Sequence, residues 1–328
     1  LDYIGLYKSY TYVEMDNYRL DTVAMKELGR GKIEYAGNLD DLFKTDIDKF
    51  IEYNLVDVQL VVDMERKLQF VDLCRGICHA GHVPYEDFVY SSKYLEGAML
   101  TYLRRRNLVA PNKPADRRER MEALKESGAE KFIGAYVKAP IVGKYDWIYD
   151  LDLTSLYPSI IMSLNIGRET LIGRLITLND RDNRLALNDL QKMDPKDEIE
   201  VENLKRKKIT MSVGEILALI SQNDLAITAN GVMFRTDKPS TLSVVLSKWF
   251  DERVEYKNAM KKAFKAGNKE EGELNHLRQY TMKILLNSLY GATALPTFRY
   301  GSVLLSEGIT LTGQRIIQDS GTFINKTA

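Results

Sequence analysis

The sequence has little cysteine, no excess of either charge and no long hydrophobic run. Two cysteines in 328 residues cannot build a disulfide scaffold and suit a reducing cytosol. No apolar stretch approaches the roughly 18 residues that a membrane-spanning helix requires. The first residues carry no signal-peptide pattern, and no internal repeat is present. Lysine plus arginine and aspartate plus glutamate both number 46, so the formal net charge is zero. No global field therefore marks the chain for nucleic acid, and any basic surface must be local. Residues 241–300 hold 10 basic and 6 acidic side chains, whereas residues 1–70 hold 9 and 14, so a basic surface is sought in the later part. A hydrophobic content of 45% and a charged content of 28% are ordinary for a soluble protein, and the length suffices for two or three domains with a sizeable core.

Apolar periodicity supplies the coarse structure. Residues 1–70 mix short alternating stretches with helical ones. From Asp46 to Phe70, apolar residues at 47, 50, 51, 55, 58, 61, 62 and 68 keep close to a 3.6 period. Asp46 is placed to cap this helix, and Asp48 and Glu52 suit its first turns. Val71 to Leu108 reads as further helix with a break near Gly81 to Pro84. Ala110 to Gly128, charged and holding two prolines, reads as a linker. A new domain is expected from Phe132, with strands and turns to about Asp180. Residues 181–238 are polar and charged with short helical patches and support no firm placement. Pro239-Ser240 opens a strongly patterned helix to Ala266, with Leu242, Val245, Leu246, Trp249 and Phe250 in one stripe. Gly267-Asn268 ends it. A second helix is predicted from about Glu273 to Tyr290, with Leu274, Leu277, Tyr280, Ile284 and Leu285 as its apolar residues. The short Gly-Asn-Lys turn makes the two an antiparallel pair. Ser306 to Ile324 reads as one more helix.

One stretch concentrates the chemistry. The apolar, aromatic run Tyr145 to Leu151 predicts a buried strand. It leads into Asp152-Leu153-Thr154-Ser155-Leu156-Tyr157-Pro158-Ser159. That order places a metal-binding carboxylate at a strand end, with free amides and hydroxyls beyond it and a tyrosine fixed by Pro158. The plainer alternatives are that Asp152 caps a turn and Tyr157 fills the core. On the helix pair, Arg253 and Lys257 stand four apart on one face, as do Lys283 and Asn287 on the second helix. If the helices pack antiparallel, these faces converge, and a guanidinium fork with two ammonium groups suits a triphosphate. Lys261, Lys262 and Lys265 read as solvated surface, as do Arg104 to Arg106 and Lys205 to Lys208, with contact to a DNA backbone the alternative for those two runs.

The octet at Asp152 resembles motif A of the family B DNA polymerases, DxxSLYPS. Lys283-Ile284-Leu285-Leu286-Asn287-Ser288-Leu289-Tyr290-Gly291 resembles that family's motif B, KxxxNSxYG. Two such strings in the right order are far more specific than either alone. The resemblance implies nucleotidyl transfer with two divalent metals, for which hard oxygen ligands suit magnesium, or manganese in its place. By resemblance Asp152 binds both metals, and the Leu153 carbonyl binds the one on the nucleotide side. Ser155, Leu156 and Tyr157 present backbone amides to the triphosphate. Tyr157 packs under the incoming sugar and excludes a 2′ hydroxyl. Arg253 and Lys257 match the fingers-helix phosphate ligands of T-even-type phage polymerases, and Lys283 and Asn287 match the motif B pair. Tyr290 and Gly291 allow the second helix close to the nascent base pair. The second carboxylate belongs to a further motif, DTDS, which this sequence does not contain.

Upstream, Tyr53 and Asp57 form a YxxxD string that resembles the third exonuclease motif of the same polymerases. Tyr and Asp four apart share a helix face, where the carboxylate can bind metal while the phenol orients an attacking water. The surroundings, Tyr18 to Asp21, Leu28 to Gly37 and Asn38 to Lys44, also resemble phage-type exonuclease domains. Phe132-Ile133-Gly134-Ala135 resembles the family's YxGG/A motif, with Phe in place of Tyr and with Gly134 retained for close approach to DNA. Cys74, Cys78, His79 and His82 crowd together like a zinc site. Cys74 and Cys78 stand at helical spacing, however, and adjacent ligands at 78 and 79 fit a tetrahedron poorly, so a packed helix end is the preferred reading.

The resemblance implies a mixed α/β fold. Its parts are the C-terminal part of a ribonuclease H-like exonuclease domain containing a mixed sheet, a partial palm with an antiparallel sheet, and a two-helix fingers subdomain. The expected divisions are exonuclease end and following helices at 1–108, linker at 109–131, palm with an insertion at 132–238, fingers at 239–291 and return into the palm at 292–328. The implied function is template-directed DNA synthesis with 3′→5′ proofreading. The implied partners are primer-template DNA, deoxynucleoside triphosphates, a sliding clamp and replisome proteins, with no membrane, in the host cytoplasm of a phage. The chain, which starts at Leu1, reads as an internal piece of a longer polymerase, inactive by itself. The alternatives are one half of a naturally split polymerase and a non-catalytic nucleic-acid-binding remnant.

Overall fold

Helices fill the first part of the chain: α1 (Tyr3–Tyr10), α2 (Leu20–Leu28), α3 (Leu39–Thr45), α4 (Ile47–Leu68) and α5 (Phe70–Gly81), followed by a 3-10 turn at Tyr85–Asp87. The structure is a computed structural model and describes residues 2–11, 14–113, 134–146, 148, 151–176, 185–204, 207–295 and 298–327. Asp2, Asn38 and Asp46 start α1, α3 and α4 by accepting from the N–H groups of Ile4, Asp41 and Lys49, each a donor that a helix start leaves without an intrahelical partner. The predicted cap at Asp46 is thus present, as is the break after Gly81. Leu6, Tyr7, Leu60, Leu73 and Ile77 are buried at the core of this part, and the Tyr7 hydroxyl donates to Glu27 at 2.8 Å. The mixed sheet expected here is not found: the described residues up to Tyr90 contain no strand. A strand needs a neighbour to satisfy its backbone, and the short alternating stretches find none. The face of α4 that carries Ile47, Ile51, Leu55 and Val58 is exposed.

The chain divides between Tyr90 and Ser91 into two compact units. The second opens with α6 (Ser91–Arg104) and continues through α7 (Leu156–Ser163) to a sheet. The strands are β1 (Leu171–Ile176), β2 (Glu198–Asn203), β3 (Lys208–Ser212), β4 (Leu225–Ile227) and β5 (Val232–Arg235), with the one-turn α8 (Leu187–Leu190) before β2 and α9 (Val213–Gln222) between β3 and β4. Their order is β3-β2-β1-β5-β4 and every pairing is antiparallel. In β2, Ile199 and Val201 point into a core with Leu175, Val213, Ile216 and Met233, while Glu200 pairs with Lys208 across the ladder at 2.8 Å. A capping box between Ser212 and Glu215 starts α9. The sheet therefore occupies much of the segment 181–238 for which the sequence supported no placement. Two expected features lie wholly or partly outside the described residues: most of the linker, and Phe132-Ile133. Of the predicted strand Tyr145–Leu151, Trp147, Tyr149 and Asp150 also lie outside them. Tyr145, Ile148 and Leu151 are 54%, 81% and 68% exposed and belong to no strand. This corrects the expectation of a buried strand, because apolar content gives a wish for burial but no hydrogen-bonding neighbour.

The last three helices match the sequence pattern closely. α10 (Thr241–Lys265) begins at Ser240, whose hydroxyl accepts from the Ser243 N–H at 3.0 Å. α11 (Lys269–Thr293) begins at Asn268, and α12 (Val303–Thr327) follows. The turn between the first two uses Gly267 at φ 76°, and α10 and α11 pack along one another as an antiparallel hairpin. Leu242, Val245, Leu246 and Trp249 from α10 are buried, with Met282, Leu285, Leu286 and Leu289 from α11. Of the apolar residues predicted for α11, only Leu285 is fully buried, and Leu274 is exposed. No described helix is long and apolar enough to cross a membrane.

Asn165 joins these parts. It adopts a left-handed backbone, φ 52°, just beyond α7. Its Nδ2 donates to the carbonyls of Arg235 and Lys238, both at 2.8 Å, and its Oδ1 accepts from the Ser240 N–H at 2.7 Å. The side chain is buried. Asn165→Ala would strand three backbone groups and place a Cβ residue without a compensating hydrogen bond in the left-handed region. It is expected to cost about 3 kcal/mol or more. Chemical denaturation measures this, and a midpoint equal to that of the native chain would show that these groups have other partners.

Candidate active site

The backbone at Thr154–Ser155 turns sharply into α7. Ser155 is left-handed, φ 53° and ψ 48°, which a non-glycine residue adopts only at a cost of about 1 kcal/mol or more. Pro158 falls in the first turn of α7, where its missing N–H breaks no helical bond. Asp152 and Leu153 precede this turn and are exposed. Beside them a cleft of about 290 Å³ is lined by Leu153, Thr154, Leu156, Ser159, Ile160 and Thr312, among others.

The helices α10 and α11 meet this segment through specific side chains. Arg253 on α10 reaches Ser155 Oγ with a guanidinium nitrogen at 3.5 Å. Its Nε is buried with no hydrogen-bond partner in the structure. On α11 the ring of Tyr290 stacks on that of Tyr157, with centroids 4.2 Å apart and planes 23° from parallel. Lys283, Asn287 and Tyr290 are spaced four and three apart, so they share one face of α11. Lys257, Lys283 and Asn287 are exposed, and Lys283 Nζ stands 5.8 Å from the centre of the Tyr280 ring. Ser155 thus meets Arg253 and Tyr157 meets Tyr290, while the side chains of Lys257 and Asn287 make no hydrogen bond with a described residue. Gly291 is exposed, with nothing within 4 Å of where a Cβ would stand. The Gly134 carbonyl accepts from Gln314 on α12. The α11 segment is braced from α6: the Tyr94 hydroxyl donates to Ser288 Oγ at 3.0 Å, and Glu96 pairs with Arg299 at 2.8 Å.

In the first unit, Tyr53 and Asp57 share the predicted face of α4. Sequence reading missed their third member. Lys32 Nζ donates to Asp57 Oδ2 at 2.7 Å and to the Tyr53 hydroxyl at 3.1 Å. Partial burial works against the charge on Lys32, but the bonds to Asp57 and Tyr53 outweigh it and raise its pKa. The Tyr35 ring meets Tyr53 edge-on at 5.2 Å. No local pattern points to Lys32; the available signal was its place within the Leu28 to Gly37 stretch. Asp57 Oδ1 is buried with no partner in the structure, an acceptor that a divalent cation would satisfy. At Asp152 the donors are one exposed carboxylate and the neighbouring Leu153 carbonyl. Among the described residues no three His, Cys, Asp or Glu side chains converge. Cys74 and Cys78 are free and buried, and burial, with Cys78 beside it, pushes the Cys74 thiol up to about 12.

A family model described as DNA polymerase family B matches residues 89–328. The chain belongs to that family. It is 28% identical over 340 residues to the DNA-directed DNA polymerase of Escherichia phage RB69, which covers 97% of this chain and 36% of that protein. It is 25% identical over 377 residues to that of Enterobacteria phage T4, covering 99% and 37%, and 26% identical over 310 residues to DNA polymerase 1 of Pyrococcus abyssi, covering 93% and 33%. The chain therefore spans about a third of the length of these family B relatives. The five-stranded antiparallel sheet and the helix pair lie within the matched residues.

Burial, with a smaller push from neighbouring Tyr157, raises the Tyr290 phenol to about 12. An unfolded phenol ionises near about 10. The native state therefore holds its proton where the unfolded chain releases it. This stability is complete below about pH 10 and is lost as the pH rises toward about 12. Thermal melts across that interval are expected to show a falling Tm, and Tyr290→Phe is expected to lose less over the same interval. Parallel curves for the two proteins would contradict the buried phenol.

Proposed function

We propose that this chain carries the nucleotide-selecting part of a template-directed DNA polymerase together with the end of its 3′→5′ exonuclease domain. The observation that carries the reading is the contact of Ser155 and Tyr157 with Arg253 and Tyr290. One turn of backbone next to a free carboxylate meets a guanidinium and a stacked aromatic pair. This is the donor set that a deoxynucleoside triphosphate needs: cation for phosphate, flat surface for sugar and base, oxygen ligands for a metal. The family supplies the reaction class, and the proposed division into exonuclease end, palm and fingers follows the boundaries stated above.

In this reading Asp152 and the Leu153 carbonyl hold magnesium. When bound, the metal lowers the pKa of a primer 3′ hydroxyl and offsets charge on the leaving pyrophosphate. The protein's own groups do the rest. Arg253, Lys257, Lys283 and Asn287 bind and orient the triphosphate, helped by the amides of Ser155, Leu156 and Tyr157. Tyr157 lies under the sugar and excludes a 2′ hydroxyl. Tyr290 and Gly291 face the nascent base pair, and Gly134 lies along the DNA. In the exonuclease part Asp57 holds a metal, Tyr53 orients the attacking water, and Lys32 fixes both side chains through its two hydrogen bonds. Primer-template DNA and deoxynucleoside triphosphates are the partners, with a sliding clamp and replisome proteins beyond them. The phage sources of two relatives make a host cytoplasm the expected compartment.

Two measurements test this reading. The chain by itself, with one carboxylate at the synthesis site, is expected to extend no primer; incorporation at the rate of a complete polymerase would refute the two-metal assignment. In the complete protein, Asp152→Ala is expected to abolish synthesis and spare exonuclease activity, and Asp57→Ala to do the reverse. Unchanged proofreading in Asp57→Ala would remove the exonuclease assignment while leaving the synthesis site untouched.

A further inference from the structure

Gly313 stands in the middle of α12 without a backbone reason to be glycine. It is not among the glycines with positive φ, and a glycine inside a helix costs about 0.5–1 kcal/mol relative to alanine. What sets the position apart is what lies over it. A Cβ at 313 would stand 3.1 Å from Tyr157 Cε1, 3.5 Å from Ile160 Cδ1 and 3.6 Å from Leu156 Cδ2. On the same helix Gly321 has nothing within 4 Å and Gly308 is crowded by Asn230 and Thr228, so the contact with Tyr157 is particular to position 313. Carbon atoms prefer about 3.5–4.0 Å. The contacts to Ile160 and Leu156 are therefore ordinary, and only the one to Tyr157 is tight. Any side chain at 313 has to move that ring. The ring has little freedom to move, because Tyr290 stacks on it with a centroid distance of 4.2 Å. A group held in a close-packed gap takes its position from the walls of the gap.

We propose that Gly313 is a specificity-determining position for the sugar of the incoming nucleotide. By omitting a side chain it lets the Tyr157 ring lie back against α12, and so it sets the room left for the sugar's 2′ position. The inference rests on the reading of Tyr157 as the ring beneath that sugar. The residue acts through Tyr157 and touches no substrate itself. Discrimination by steric exclusion depends on where the excluding group stands as much as on its presence.

The test is a double-mutant cycle of Gly313→Ala and Tyr157→Ala in the complete polymerase. It reads kcat and KM for a deoxynucleotide and its ribonucleotide counterpart, and Tm. Gly313→Ala alone is expected to lower deoxynucleotide kcat/KM about tenfold, chiefly through KM, since a displaced ring crowds the bound sugar. In the Tyr157→Ala background the same substitution is expected to change kcat/KM by less than about twofold, because no ring remains to be displaced. In that background Tm is expected to hold or rise, alanine being the better helix former, which separates a displaced ring from a damaged fold. No loss in Gly313→Ala, or a loss of equal size in both backgrounds, would overturn the proposal. Tyr157→Ala alone tests the reading beneath it. An unchanged deoxy-to-ribo ratio would remove that reading and the proposal with it, whereas a relaxed ratio with an additive cycle would remove only the role of Gly313.

Discussion

Three buried hydrogen bonds from one amide side chain hold the second unit's site together. Asn165 satisfies the carbonyls of Arg235 and Lys238 and the N–H of Ser240, so the end of α7, the end of β5 and the start of α10 are fixed to one point. Neighbouring hydroxyls extend the network: Ser240 Oγ donates to the Ile166 carbonyl and Ser243 Oγ to the Ile161 carbonyl, both at 3.0 Å. A buried polar network of this kind is stable only when every member is satisfied, which makes its geometry close to all-or-none. Tyr157 lies on one helix leaving the node and Arg253 on another. Their mutual position, and hence the shape of the candidate nucleotide site, is a consequence of where Asn165 stands.

The parts of this architecture that could be read from the sequence are those whose signals are local. Ser240 and Asp46 announce their helices because a cap and a 3.6 period occur within a few residues of one another, whereas the helix capped by Asn268 starts at Lys269, ahead of the expected Glu273. The motif strings at Asp152 and Lys283 were readable for the same reason. The resemblance implied an antiparallel sheet, which is present, but its strands were not placed, although Glu198 to Glu202 alternates charged and apolar residues without a break. Strands this short acquire meaning only from partners far along the chain, and β3 and β5 could not be foreseen from β2 alone. The run from Tyr145 to Leu151 shows the opposite error. Its aromatic and apolar content suited a buried strand, yet its described residues lack the neighbour that would make it one. Lys32 reaches Asp57 across 25 residues of chain, a distance at which single-sequence patterns are silent.

The two candidate metal-binding carboxylates sit in different electrostatic settings. Asp57 is already paired with an ammonium, and one of its oxygens is buried and unsatisfied. Asp152 is exposed, next to Leu153 at the lining of a cleft. The first is preorganised by its own unit, whereas the second offers charge to solvent and to whatever approaches. The limits of the second unit are also drawn twice by independent means. The family match begins at residue 89, and the compact unit begins at Ser91. α6 therefore lies within both the family match and the second compact unit, where Tyr94 bonds Ser288 and Glu96 pairs with Arg299.

The helix hairpin also has a mechanical consequence. α10 and α11 are 25 residues each, so each is about 37 Å long at roughly 1.5 Å per residue. The hairpin is anchored at the Ser240 end and turns back at Gly267. Arg253 lies near the midpoint of α10. At that length a rotation of about 5° about the Ser240 end would carry the far turn through about 3 Å and Arg253 through about half of that. The contacts of Arg253 with Ser155, Tyr290 with Tyr157 and Ser288 with Tyr94 therefore do for the middle of the hairpin what the Asn165 node does for its base: they hold the cationic side chains to within the length of a hydrogen bond.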